Sequence, residues 1–203
     1  DLKFPHHENE RAQAVALGKT FANHWMHNGF VVDAEGEKMS KSLGNVSNLL
    51  DLLELYDPRA YRMVLLQSHY RSPVKIGQDN IDASVNALAG LDSYAARTAA
   101  LLGTVAVEAP LVVEVLDRFR AAMEDDLDTP AAMALLFDTV RRSNAALDAG
   151  DSETAAALRT AVAEIGTALG LALKADEELP AETVEKAAAL DAARAAKDFA
   201  TAD

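Results

Sequence analysis

A chain of 203 residues, half of them hydrophobic and 5% aromatic, with a formal net charge of -13, has room for one or two domains with real cores. It contains no cysteine, which excludes disulfides and cysteine-bound metal within this chain. No stretch approaches the roughly 18 apolar residues of a membrane span, and no basic segment with an apolar run opens it as a secretory leader would. The expectation is a soluble cytoplasmic protein, rich in alanine and leucine and mainly α.

In chain order, Pro5 suits the first position of a helix reaching Leu17, with Phe4 extended before it and Gly18 as C-cap. WMHNGFVV (25–32) predicts a short strand, and DAEG (33–36) a turn. The glycine-flanked loop GEKMSKSLGN (36–45) follows. NLLDLLELY (48–56) is a helix with its leucines on one face. Asp57 as cap and Pro58 at the first position start another, to Tyr70. RSPVKIG (71–77) reads as loop. Ile81, Val85, Leu88 and Leu91, at spacings of three and four, predict an amphipathic helix over 78–102. After a linker (104–110), helices follow at about 110–125, 129–148 and 152–170, with Thr129-Pro130 and Asp151 marking two starts. A polar linker (174–180) leads to an alanine-rich helix (181–202). Short connections make 78–170 an antiparallel helical bundle.

Charge divides the chain. Residues 1–77 hold nine Lys/Arg and nine Asp/Glu, whereas 78–203 hold ten and twenty-three. All five histidines (His6, His7, His24, His27, His69) fall in the first part. Chemistry is expected there, and scaffold or docking surface in the acidic remainder. The chain begins at Asp1 just before a predicted helix and stops within another, so a piece of something longer is expected.

In PHHENE (5–10), His6 and Glu10 are four apart and share a helix face. A ring nitrogen and a carboxylate can then converge on one zinc ion, or the pair is simply a solvated first turn favoured by the helix dipole. His24 and His27 would face opposite sides of a strand. Trp25, the single tryptophan, reads either as a core residue or as a pocket wall. LGKT (17–20) ends like a phosphate-binding loop, but Gln13 stands where that pattern needs glycine. The lysines of 36–45 must face solvent or an anion. Ser40, Ser42 and backbone amides suit phosphate oxygens, with lysine as point charge.

KMSKS (38–42), together with DLKFPHHENERAQ, WMHNGFV, EKMSKSLGN and SHYRSP in that order, resembles the cysteinyl-tRNA synthetases, of class I of the aminoacyl-tRNA synthetases. MEDDLDTPAAMALLFDTVRRSN resembles the helical anticodon-stem region of that family. The resemblance implies a remnant of a Rossmann-type catalytic domain carrying the KMSKS loop (1–46), a connecting helical region (47–77), a helical bundle that binds the tRNA stem (78–173), and a linker with a C-terminal helix (174–203). It implies ATP binding by Lys38, Met39, Ser40, Lys41 and Ser42, with Lys41 the catalytic cation on the phosphates as cysteinyl-adenylate forms. It implies one zinc per intact enzyme, held by two cysteines, His6 and Glu10. ATP would be used with magnesium. Trp25, His27 and Asn28 would border the substrate pocket. The partners implied are cysteine, ATP and tRNA(Cys), and the intact enzyme would be a monomer. The first nucleotide-site signature and both zinc cysteines of the family precede the segment matched here, so this chain alone is expected to be inactive. The mycothiol-pathway ligase, which joins cysteine to an amino-sugar inositol, shares KMSKS and a similar HHE segment. A non-catalytic tRNA-binding module is a third reading. Arg141 and Arg142, or Arg62, Arg71 and Lys75, would be its basic patches, against an acidic background that disfavours general nucleic-acid affinity.

Overall fold

Three aspartates start three helices by one device. Asp57, Asp128 and Asp151 each accept a hydrogen bond from the amide two or three residues on, at 2.9 to 3.0 Å. Each satisfies one of the orphan donors of a first turn, typically about 1 kcal/mol. The helices are α3 (Pro58–Leu66), α6 (Thr129–Asp148) and α7 (Ser152–Ala168), two of them with proline in the first two positions. The computed structural model describes residues 2–33, 36, 49–103 and 110–175. The KMSKS segment, the interior of the 104–110 linker and the C-terminal helix expected over 181–202 lie outside these.

The other elements are a π-helical turn (Lys3–His7), α1 (Glu8–Ala16), β1 (Val31–Val32), α2 (Leu49–Leu55), β2 (Val74–Lys75), α4 (Gln78–Leu102) and α5 (Pro110–Glu124). The helices expected over 78–102, 110–125, 129–148 and 152–170 are present, and no described helix is long and apolar enough to cross a membrane. α6 packs along α7, α5 lies against both, and α4 bridges α3 to α6 and α7. Met63, Leu91, Leu136, Leu158, Ile165 and Leu171 fill the centre, each fully buried. Ala155, Ala156, Ala157 and Ala161 of α7 are buried too, and their small side chains allow close helix approach. One chain of hydrogen bonds crosses this core. The Tyr94 hydroxyl of α4 donates to Ser143 Oγ of α6 (2.8 Å), which donates to the Ala155 carbonyl of α7 (3.1 Å). A second cluster, Val64, Ile76 and Ile81, seats α3, β2 and the start of α4 together.

A charged network closes the edge of the core. Arg59 donates to both carboxylates of Asp57 and Asp92 and to the Ala172 carbonyl, at 2.8 to 3.2 Å. Lys174 reaches Asp57 at 3.2 Å. The Arg59 guanidinium holds the Asp57 carboxyl below the ordinary carboxylate range, and the two carboxylates raise Arg59.

Several expectations change. The first α-helix begins at Glu8 rather than Pro5, because Pro5 sits inside the π-helical turn behind an extended Phe4 (φ −139°, ψ 135°). Gly18 follows α1 with a positive φ of 67°, as a C-terminal glycine should. The strand over 25–32 contracts to Val31–Val32, since only these residues find a ladder partner. That partner lies in the segment expected to be loop: β1 and β2 pair in parallel, Val31 with Val74 and Val32 with Lys75. α3 ends at Leu66 instead of Tyr70, because the residues after it are drawn into tertiary contacts. Gly29 donates its amide to the Tyr70 carbonyl at 2.7 Å, and a Cβ on Gly29 would collide with the Ser72 carbonyl. The leucines of α2 make no buried face, for Leu49, Leu50, Leu53 and Leu55 are exposed. Leu52 alone packs on the second cluster. Trp25 is 40% exposed and is no core residue.

Candidate functional site

The π-helical turn delivers His6 and His7 onto the first turn of α1, where Glu10 follows on the next. His6 Nε2 and Glu10 Oε1 are 3.5 Å apart, the i, i+4 pairing expected from the sequence. His7 joins them: one ligand atom from each of His6, His7 and Glu10 lies within 4.8 Å of the others. Two imidazoles and a carboxylate suit zinc, which takes nitrogen and oxygen donors at about 2.0–2.2 Å. Three donors leave a position to be filled from elsewhere, and this chain has no cysteine to offer.

The irregular segment between α1 and β1 folds back over this turn. His7 Nδ1 and His27 Nε2 are 3.0 Å apart, and their rings lie 5.1 Å apart. Trp25 is 5.3 Å from the His7 ring and stacks on Phe21 at 5.4 Å and nearly parallel to His27 at 6.1 Å. Together with Lys3, Glu8 and Arg11, the rings of His7, Trp25 and His27 line a pocket of about 220 Å³. Burial lowers the pKa of His27 first, and the positive groups His7, Lys3 and Arg71 lower it further. A neutral His27 can accept from His7 or donate to it, according to which ring nitrogen carries the proton. Either way the contact engages His7 at Nδ1 and orients its ring.

His6 and Glu10 thus converge, and Trp25 and His27 share a wall with His7. Asn28, grouped with them in the sequence, opens instead onto a separate cavity of about 420 Å³ shared with Tyr61, His69 and Thr129. His24 is exposed and stands apart, and neither it nor His27 is on a strand. His7 is the residue the sequence reading passed over. Its signal was present in the i, i+3 spacing to Glu10, but its link to His27 spans twenty residues of irregular chain. The Arg71 of the suggested basic patches is tied to Asp126, and Arg141 to Asp138. Lys38, Met39, Ser40, Lys41 and Ser42 lie outside the described residues.

Residues 1–86 match the family described as tRNA synthetases class I (C) catalytic domain, and residues 118–174 match the DALR domain. In fold the chain is similar to the Agrobacterium radiobacter K84 LeuRS solved in a ternary complex with tRNA and LeuAMS (TM-score 0.55, 19% identity), over 73% of this chain and 23% of that one. In sequence the chain is thus similar to the class I tRNA synthetases over its first 86 residues and to the DALR domain over 118–174. Within that class it is similar to proteins named cysteine--tRNA ligase: 41% identical to that of Paenarthrobacter aurescens, 43% to that of Clavibacter michiganensis and 43% to that of Halorhodospira halophila. Each match takes in all of this chain but only 44–45% of the relative.

Proposed function

We propose that this chain is the KMSKS-bearing and stem-binding part of a cysteine--tRNA ligase, which activates cysteine with ATP and transfers it to tRNA(Cys). The observation that carries this reading is the end-to-end similarity to cysteine--tRNA ligases at 41–43% identity. Residues 1–46 would be the remnant of a Rossmann-type domain, and α4–α7 an antiparallel bundle that docks the tRNA stem. The named relatives are tRNA ligases, which favours tRNA over an amino-sugar acceptor. The enzyme would be a cytoplasmic monomer.

In this reading Lys41 binds the triphosphate, where negative charge builds as the amino-acid carboxylate attacks the α-phosphorus and pyrophosphate leaves. Lys38, Met39, Ser40 and Ser42 hold it there and exclude water, and magnesium accompanies the ATP. His6 and Glu10 are the ligands this chain gives to zinc, with the neighbouring His7 oriented by His27. Zinc, when bound, supplies a Lewis acid selective for a thiolate over a hydroxyl. Trp25 and His27 wall the cysteine pocket, while the position of Asn28 in another cavity weakens its assignment.

The test joins this chain to the N-terminal part of the Paenarthrobacter ligase. The hybrid is expected to catalyse cysteine-dependent ATP–pyrophosphate exchange and the 203-residue chain alone to show none; an inactive hybrid counts against the reading. In the hybrid, His6→Ala should lower bound zinc and the preference for cysteine over serine. Zinc retained at full stoichiometry would remove His6 from the ligand set.

A further inference from the structure

Asp126 lies in the turn between α5 and α6 with a φ of 54°, beside Leu127 at 57°. Two successive non-glycine residues in the left-handed region persist only where their surroundings hold them. What meets Asp126 is the segment after α3. Arg71 donates from Nε and Nη2 to its two carboxylate oxygens at 2.6 and 3.0 Å, and the Tyr70 hydroxyl donates at 2.7 Å. His69 Nε2 stands 3.8 Å away. Tyr70 stacks on His69 at 4.9 Å, and the Arg71 guanidinium lies 5.1 Å over the Tyr70 ring. Three consecutive side chains therefore converge on one carboxylate more than fifty residues away. Arg71 first, and Tyr70 second, bring the Asp126 carboxyl down to about 2.

Arg71 and Asp126 are 62% and 46% exposed, and exposed ion pairs add little to stability. The value of this one lies in where it holds things. The Tyr70 carbonyl receives the Gly29 amide, and Val74 donates to Phe30 at 2.8 Å, so the clamp is adjacent to the β1–β2 pair. We propose that Asp126 is a positioning residue: it fixes the α5–α7 bundle against β1–β2, and so sets where an RNA acceptor held by the bundle meets the synthetase half. The acceptor part of this rests on the function proposed above.

Asp126→Gly tests it, because glycine keeps the left-handed backbone and removes only the side chain. Asp126→Asn keeps one acceptor oxygen and loses the charge. In hydrogen–deuterium exchange on the 203-residue chain, the glycine variant is expected to speed exchange about tenfold in segments 26–33 and 68–76, with 132–146 and 155–166 unchanged and asparagine intermediate. A rise confined to 119–131, or none, overturns the clamp. In the hybrid ligase, Asp126→Gly is expected to cut tRNA charging roughly ten- to a hundredfold, the scale of a small misplacement, with pyrophosphate exchange within about twofold. Equal loss in both steps overturns the positioning role. If the unaltered hybrid activates cysteine but never charges tRNA, the function reading fails, and the exchange measurement still decides the clamp.

Discussion

The two ends of the described chain are built on opposite terms. Between residues 2 and 33 no residue is buried, yet that stretch contains four of the five histidines and the convergent His6, His7 and Glu10. Between α4 and α7 the side chains close on a core, and its polar groups serve packing. The first region holds its geometry by ring stacking and imidazole hydrogen bonds, the second by burial. The lesson is that the candidate chemistry sits on the open wall, where side chains are free to meet a substrate or another segment. The bundle supplies stability and a place to stand.

Substitutions can break that comparison or sharpen it. Leu136→Ala in the bundle should cost about 2–5 kcal/mol of unfolding free energy, while Trp25→Ala should cost under about 1 kcal/mol, since the indole is already part-solvated. Equal costs by urea titration would mean that the N-terminal region is as tightly packed as the bundle. Next is Lys41→Ala in the hybrid ligase, expected to slow activation by roughly 10²–10³ without a change in melting temperature. Unchanged pyrophosphate exchange would remove Lys41 from the chemistry.

The third contrast is in pH. The folded pKa of Asp57 is depressed, so its contribution is complete above the ordinary aspartate value of about 3.9 and is lost as the pH falls through its folded value. The Asp126 carboxyl is lowered in the same direction, but at an exposed site its pair adds little to that fall. Melting temperature should therefore fall between pH 5 and pH 2, and less steeply in Asp57→Asn, which keeps the helix cap but not the charge. An identical slope in wild type and variant would rule out Asp57 as a source. The smallest effect concerns Ser84, whose buried hydroxyl has no partner among the described residues. Ser84→Ala should be neutral or stabilise by up to about 1 kcal/mol, and a clear loss of stability would reveal a partner for that hydroxyl.

The helices were legible because their signals are local. Asp57 with Pro58, Pro130 after Thr129, and Asp151 announce starts, and the three- and four-residue spacing from Ile81 to Leu91 fixes a buried face. His6 and Glu10 were legible for the same reason, being one turn apart. The β1–β2 pair was not, because two residues beside Pro73 carry no alternation and their partner lies some forty residues earlier. Nor was the His7–His27 pair, which depends on a fold-back with no periodicity. α6 starts at Thr129 as expected, and the oxygen that caps it comes from Asp128 just before.

The hydroxyl chain through Tyr94, Ser143 and the Ala155 carbonyl has a consequence for how uniquely this sequence folds. Leu158, Val162 and Ile165 anchor the later turns of α7 in the core, but its first turns meet their neighbours through Ala155, Ala156 and Ala157, which are too small to fix a register by shape. Shifting those turns would carry the Ala155 carbonyl away and leave the buried Ser143 hydroxyl without an acceptor, at roughly 1–3 kcal/mol. The small-residue start of α7 thus acquires a single setting, as a keyway does for a round shaft.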